Sequence, residues 1–274
     1  MNFLKKRWAF LLWTALLVVA IILKVPFGYI LLGTLGYIIL MMLIRLPRTA
    51  MLLGYILEGY RKKPDKAFPM YEFGYEHGGR VAGPMIAYGM QLLRRSEYEK
   101  GLTVLQDVLM IENLNPTMLK IVRQDLAIAY WKNGDLETAI STLELMLKDY
   151  DYFNDDFYGT LGYFYIEAGQ YDKATELSNK ALTVNEGNGP VYDNLGLIAY
   201  AQGDLEEAKE LFLKALDMRD TMSATKYYLG LIAEQEGDKE MARTYFAAAY
   251  NSKVTGINTV SREQVEAKYH QYMG

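Results

Sequence analysis

The chain has 274 residues, 51% of them hydrophobic and 23% charged, which is enough for one large core or two small ones. It contains no cysteine, and this excludes disulfides, thiol redox chemistry and cysteine-ligated zinc. Its only histidines, His77 and His270, are far apart in sequence, so a histidine-based metal site is not expected.

The net charge of −4 conceals an uneven distribution. Residues 1–66 contain ten Lys and Arg against two acidic residues, a net charge of +8, so the remainder carries −12. Such asymmetry indicates that the two parts of the chain have different surroundings. An acidic C-terminal part repels phosphate backbones, and nucleic acid is therefore not an expected partner.

Two apolar runs, residues 8–23 and 27–44, are separated by Lys24 and Pro26. Each is slightly short of the ~20 residues that span a bilayer. Interfacial Trp and Tyr side chains and a snorkelling Lys24 extend or anchor such runs. The sequence therefore predicts a transmembrane hairpin over residues 1–46, with residues 8–44 in contact with the lipid bilayer.

Other readings of these runs are a cleaved signal peptide, a single long helix and a re-entrant hairpin. No convincing cleavage site precedes the second run, and one long helix would place Lys24 and Pro26 within the bilayer; the re-entrant hairpin stays open. Basic residues flank both outer ends of the hairpin, whereas the turn holds only Lys24. By the positive-inside rule we expect a multi-pass protein of the cell (inner) membrane whose C-terminal domain is cytoplasmic.

Residues 47–82 are predicted to form a juxtamembrane helix followed by a linker. Apolar residues recur at helical spacing from Met51 to Tyr60, and Arg61-Lys62-Lys63 follow, which suits a helix in an anionic headgroup region. A continuation of the second transmembrane helix is the alternative. Prolines and glycines between residues 63 and 84 favour an unstructured linker.

From Asp155 to Asn251 the sequence repeats with a period of 34 residues, and the predicted stack of repeats covers residues 83–254. Leu161-Gly162 recurs as Leu195-Gly196 and as Leu229-Gly230, and a turn glycine and a small residue follow each pair at constant offsets. Such phased self-similarity indicates stacked helical units. Two weaker copies precede the three clear ones, which gives about five repeats. Residues 261–264 read as a capping box, and a helix within residues 255–274 is predicted to cover the open end of the stack.

One copy reads Tyr192, Leu195-Gly196, Ala199, Ala208, Phe212 and Ala215. This pattern resembles the tetratricopeptide repeat (TPR), a helix-turn-helix unit of 34 residues; Ser178, in place of a bulky residue, is a departure in another copy. The resemblance implies an all-α fold in which the hairpin precedes a right-handed TPR α-solenoid with a C-terminal capping helix.

In TPR proteins the first helix of each repeat lines a concave face that binds peptides. Carried onto this chain, the resemblance implies a partner-binding groove that is acidic and aromatic, which favours a protein or peptide with a basic and apolar segment. The groove residues are Gln124, Asp125, Asp156, Tyr163, Glu167, Asp193, Asn194, Leu197, Tyr200, Tyr227 and Tyr228. Ala224 and Tyr228 stand where chaperone-binding TPRs carry basic residues, so that subtype is not expected.

No nucleophile-base constellation and no phosphate-binding loop is present, so neither an enzyme nor a cofactor is expected. The acidic run at residues 149–156 lacks the central Gly and closing Glu of a calcium loop and is predicted to be an inter-repeat loop. The favoured function is a membrane-anchored scaffold that recruits cytoplasmic partners to a membrane complex. The alternatives are an accessory subunit bound mainly through the hairpin and, if the topology is reversed, an extracytoplasmic assembly factor.

Overall fold

The computed structural model describes residues 2–149 and 154–273, with side chains for these except residues 2–11 and 44. The secondary structure of these residues consists of helices joined by turns and loops. The chain divides into two compact units, Met1–Val81 and Ala82–Gly274.

The described residues of the Met1–Val81 unit form four helices. They are α1 (Asn2–Ile22), α2 (Phe27–Ile44), α3 (Leu46–Arg61) and α4 (Pro64–Glu76). The Trp13 and Tyr37 rings stack between α1 and α2 with centroids 4.7 Å apart. A Cβ at Gly33 would lie 3.3 Å from the Trp13 ring. These contacts show that α1 and α2 pack against each other.

Within the part of this unit whose side chains are described, no helix is by itself long and apolar enough to cross a bilayer. Phe27–Leu43 and Leu46–Arg61 are long and apolar enough for a membrane span only when they are taken together, and the two helices are bent by 90° relative to each other.

The predicted linker is wrong, because Pro64–Glu76 is a helix that packs along α3. Pro64 lies in the first turn, where its missing N–H is tolerated. Gly54 and Gly74 lie at the α3–α4 contact: an added Cβ would be 3.2 Å from the Ala67 carbonyl oxygen and 2.2 Å from Met51 Cγ, respectively. Gly74, one of the glycines that suggested a linker, instead allows two helices to approach closely.

The described residues of the Ala82–Gly274 unit form a stack of five helix pairs and a final helix. The helices are α5 (Ala82–Arg94), α6 (Tyr98–Leu109), α7 (Pro116–Lys132), α8 (Leu136–Asp149), α9 (Asp155–Glu167), α10 (Tyr171–Val184), α11 (Gly189–Gln202), α12 (Leu205–Met218), α13 (Ser223–Gln235), α14 (Lys239–Asn251) and α15 (Arg262–Met273). The helices that start at Asp155, Gly189 and Ser223 begin 34 residues apart. The structure thus reproduces the sequence period.

The fourth pair shows how the sequence forms these units. Gly203 ends α11 with φ +85°, a left-handed conformation that favours glycine. Asp204 then caps α12, because its carboxylate accepts a hydrogen bond from the Glu207 N–H at 3.0 Å. A Cβ at Gly196 would lie 2.7 Å from the Phe212 ring, so the repeated glycine lets the two helices meet.

The last helix closes the stack. Ser261 and Gln264 form a reciprocal capping box: the Gln264 N–H donates to Ser261 Oγ at 3.2 Å and the Ser261 N–H to Gln264 Oε1 at 2.8 Å. Val265 is fully buried, and the Tyr272 ring lies 5.2 Å from that of Phe246 on α14. α15 therefore covers the apolar edge of the fifth pair.

Candidate functional site

The first helices of the first four pairs line a cavity of about 430 Å³ on the concave side of the stack. Six of the eleven predicted groove residues lie in its wall: Gln124, Asp125, Asp156, Tyr163, Asp193 and Asn194. Trp131, Phe164 and Pro190 add apolar surface. The cavity thus combines carboxylates with aromatic rings.

Asp193 is the most buried carboxylate of this cavity, with 8% of its surface exposed. The Thr225 hydroxyl donates to Asp193 Oδ1 at 2.6 Å. Burial raises the pKa of Asp193 to about 6, although the Thr225 hydrogen bond acts in the opposite direction. The carboxylate is therefore ionised at neutral pH at a cost in desolvation.

Two arginines that the sequence analysis did not select also line the cavity. Burial raises the pKa of Asp125 to about 7, and the charge of Arg94 partly offsets this effect. Arg219 donates to Asp156 Oδ1 at 2.7 Å, and both side chains are well exposed at the rim. Arg94 is the last residue of α5, and Arg219 directly follows α12. Neither lies at a repeat position that was used to predict the groove.

Three predicted groove residues, one of which also lines the cavity, join neighbouring helices. The Asn194 amide donates to the Gly159 carbonyl at 2.9 Å, which ties α11 to α9. Leu197, only 6% exposed, lies in a core cluster, so its prediction as a groove contact is wrong. Tyr227 is 9% exposed and its ring packs 5.8 Å from Phe246. The repeat pattern assigns them to the concave helices but does not show how deep each lies.

The remaining predicted residues are Glu167, Tyr200 and Tyr228. With Tyr163 they form a row of aromatic and acidic side chains. The Tyr163 hydroxyl donates to Glu167 at 2.6 Å, and the Tyr200 and Tyr228 rings are 5.3 Å apart. Burial raises the pKa of Tyr228 to about 12, and the charge of Asp193 acts in the same direction. Burial and the Glu167 hydrogen bond also raise the pKa of Tyr163. These tyrosines remain neutral hydrogen-bonding groups at physiological pH.

Glu234, near the end of α13, is bound by the final helix. It forms an ion pair with Lys268 and accepts a hydrogen bond from the Tyr272 hydroxyl at 2.9 Å. Burial opposes its ionisation, but these bonds outweigh that effect and lower the pKa of Glu234. Its carboxylate thus anchors the cap.

The connection between α14 and α15 crosses the concave side; we name residues 254–260 the strap. The Gly256 N–H donates to the Arg94 carbonyl at 2.9 Å, and the Tyr98 hydroxyl donates to the Gly256 carbonyl at 3.0 Å. Further along the strap, Lys132 Nζ donates to the Asn258 carbonyl at 2.7 Å. The strap is therefore held by the first two helix pairs.

The strap also contacts the last pair, where Asn258 Nδ2 donates to Ser223 Oγ at 3.2 Å. Ile257 and Thr259 line the cavity. The concave face is thus partly closed by the chain itself, which the sequence analysis missed. A signal was available: ten residues separate α14 from α15, whereas three separate α13 from α14.

Part of the acidic run at residues 149–156 lies outside the described residues, namely residues 150–153. At its C-terminal end, Asn154 caps α9 by accepting a hydrogen bond from the Phe157 N–H at 2.9 Å. Asn154 is therefore the N-cap of the helix that follows this run.

Comparison with known proteins agrees with this architecture. The tetratricopeptide-repeat family matches residues 156–221 and residues 194–254. No curated protein sequence matches the chain. The crystal structure of TTC0263, a thermophilic TPR protein of Thermus thermophilus, is 18% identical, with a TM-score of 0.57 over 70% of this chain and 99% of its own. A human IFIT1 dimer with PPP-AAAA is 17% identical, with a TM-score of 0.57 over 83% of this chain and 58% of its own.

At these identities the two structures establish a shared fold only. Stacked helix pairs around a concave face define an α-helical repeat protein. With the sequence matches across residues 156–254, this chain contains tetratricopeptide repeats. The TPR is in general a non-catalytic protein-interaction scaffold.

Proposed function

We propose that this protein is a membrane-anchored, non-enzymatic TPR scaffold that binds a protein or peptide on its concave face and recruits it to a membrane complex. Anchoring is assigned to residues 8–44, because α1 and α2 expose large apolar side chains such as Ile22, Phe27 and Leu32, at 71%, 76% and 66%. Lipid is the environment in which such exposure is favourable. The scaffold function rests on the TPR fold.

The cavity carboxylates carry the inference about the partner. Asp125 and Asp193 both have raised pKa values because they are buried. A partner cation placed beside them would favour their ionised form and recover part of the desolvation cost. Trp131 and Tyr163, whose rings are 5.3 Å apart, offer aromatic contacts to apolar side chains. We therefore propose a ligand segment with both Lys or Arg and apolar residues.

Binding of labelled synthetic peptides to the detergent-solubilised full-length chain tests this proposal. The peptides are matched in length and are basic-apolar, acidic-apolar or neutral. The basic-apolar set should bind most tightly and should weaken as salt is added. Charge reversal at two exposed concave positions, Asp156→Lys with Glu167→Lys, should weaken binding several-fold.

The matched control is Glu207→Lys, which reverses a charge at an exposed position on α12, a second helix of its pair. It should leave binding of the basic-apolar peptides unchanged. Equal binding of the three peptide sets would contradict the assigned partner chemistry. Equal loss in the control and in the concave variant would contradict the concave site.

Topology is tested by labelling single cysteines in an otherwise cysteine-free chain. Gly28 and Asn179 are both exposed. Gly28→Cys should react with an impermeant thiol reagent in intact cells, whereas Asn179→Cys should react only after lysis. Labelling of Asn179→Cys in intact cells would reverse the topology and favour an extracytoplasmic assembly factor.

A further inference from the structure

Helix α3 has apolar side chains on two opposite faces. One face packs on α4, where Met51 and Gly54 meet Tyr71 and Gly74. The other face is open. Its side chains are Leu52, Leu53, Ile56 and Tyr60, exposed by 45%, 45%, 55% and 90%. A helix needs one apolar face to pack on its partner, so the second face requires another explanation.

The charged side chains of α3 also differ between the side that faces α4 and the open side. Its one acidic residue, Glu58, is turned towards α4 and accepts a hydrogen bond from the Tyr71 hydroxyl at 2.7 Å. Arg48 and Arg61 are exposed, as are Lys62 and Lys63 in the turn that follows. The open face is thus apolar and flanked by cations.

The angle between α2 and α3 supplies the orientation. The two helices are bent by 90° at Arg45. If α2 runs along the membrane normal, as in the transmembrane hairpin predicted from the sequence, α3 must lie in the plane of the membrane surface. A helix in that position with an apolar face and flanking cations has the features of an interfacial helix on anionic lipid.

We infer that the α3–α4 hairpin is a lipid-binding platform: the open face of α3 is inserted at the headgroup boundary of an anionic leaflet, and α4 lies on the aqueous side. The inference rests on the proposed membrane anchoring of α2. It assigns to α3 a binding surface for acidic phospholipid, separate from the bilayer-spanning segment and from the TPR concavity.

The test uses the full-length chain in nanodiscs of phosphatidylcholine with or without phosphatidylglycerol. Single cysteines carry an environment-sensitive fluorophore at Ile56 or Tyr60 on α3, at Glu76 at the end of α4, and at Leu35 in α2. Spin-labelled lipids quench fluorophores in the bilayer, and iodide quenches those in water. With phosphatidylglycerol, the labels at positions 56 and 60 should be quenched by lipid several-fold more than the label at 76.

A charge variant checks the lipid specificity. Arg48→Gln, Arg61→Gln, Lys62→Gln and Lys63→Gln together should reduce lipid quenching at position 56 in anionic nanodiscs to the level in phosphatidylcholine. Strong iodide quenching at 56 and 60 with protection at 35 would overturn the platform but leave the anchor in place. Loss of protection at 35 would overturn the anchor itself. Protection at 56 that persists in detergent, with Tyr60→Cys cross-linking two copies, would assign the face to dimerisation and overturn lipid binding.

Discussion

Large apolar side chains are arranged differently in the two units of this chain. Among the described side chains, twenty-three large hydrophobic residues are exposed between residues 12 and 60, compared with eight in the Ala82–Gly274 unit. In the repeats, residues such as Phe157, Phe212 and Phe246 are fully buried. Both units are helical, so what distinguishes them is whether the apolar faces of the helices are buried in a core or exposed.

Both units nevertheless use glycine in the same way at helix contacts. Gly196 lies against the Phe212 ring in the repeats, and Gly74 lies against Met51 in the N-terminal unit. The comparison teaches that close helix packing is common to the two units, whereas only the repeats form an extended buried core. Substitutions at these glycines test whether the contacts are equally important.

The largest effect is expected for Gly196→Leu in a fragment comprising residues 82–274. The first added carbon would lie 2.7 Å from the Phe212 ring, so α11 and α12 must separate. Overpacking of this kind costs ~1–3 kcal/mol or more. Urea unfolding followed by circular dichroism measures the loss. Gln202→Leu, at an exposed position of the same helix, is the control and should change stability little.

In the N-terminal unit, Gly74→Leu should separate α4 from α3, because its first added carbon would lie 2.2 Å from Met51 Cγ. Hydrogen exchange on the full-length chain in detergent should show faster exchange in α4 and no change in the repeats. Gly59→Leu adds the same side chain where no atom lies within 4 Å of the new Cβ. Similar exchange in both variants would show that the α3–α4 contact does not stabilise α4.

The helix pairs were predictable because their signals are local and repeated. A left-handed Gly followed by a capping Asp, as in Gly203-Asp204 and Gly237-Asp238, defines these turns without knowledge of the rest of the fold. The same reasoning failed at α4. Pro64 and Gly74 are breaker residues in sequence, but one lies in a first turn and the other at a helix contact.

The candidate site was less predictable because it depends on contacts distant in sequence. Periodicity placed Asp125 and Asp193 on concave helices, yet their raised pKa values follow from burial that only the stacked repeats create. The strap joins Gly256 to Arg94, and no local pattern reports a contact over that separation. The burial of a side chain and the contact between the strap and the first helix pair both arise only when the repeats are stacked.

An intermediate effect is expected for Asp193→Asn, and it should depend on pH. The carboxyl has a pKa of about 6 when folded, against an ordinary value of 3.8. Below about pH 4 it is neutral in both states and carries no penalty. As pH rises towards 6 the unfolded chain ionises first, so Asp193 increasingly destabilises the fold.

The Asn variant removes that penalty and can still accept the Thr225 hydrogen bond. Relative to the parent fragment, it should therefore gain roughly 1–3 kcal/mol between pH 4 and 7, since each pKa unit corresponds to about 1.4 kcal/mol. Urea titrations across this range measure the difference. Asp220→Asn, at an exposed position, is the control. A pH-independent difference for Asp193→Asn would contradict the burial argument.

The smallest change in overall stability is expected at the strap, where Gly256→Val should release a segment without unfolding the repeats. The new Cβ would lie 2.4 Å from the Leu93 carbonyl oxygen and 2.7 Å from Ser96 Oγ, both on the first helix pair or its turn. Val260 is the one buried residue of the strap, so the urea midpoint should shift little. Amide exchange at residues 254–260 should increase markedly.

Release of the strap should also open one wall of the cavity, because Ile257 and Thr259 line it. A cysteine introduced at Thr160, in the same cavity, reports this directly. Combined with Gly256→Val, Thr160→Cys should react several-fold faster with a bulky maleimide than in the parent background. Thr259→Val, which preserves side-chain shape within the strap, is the control and should not accelerate the reaction. Equal rates in all three backgrounds would mean that the strap does not restrict access, and the concave face would then be as open as its repeat pattern alone predicts.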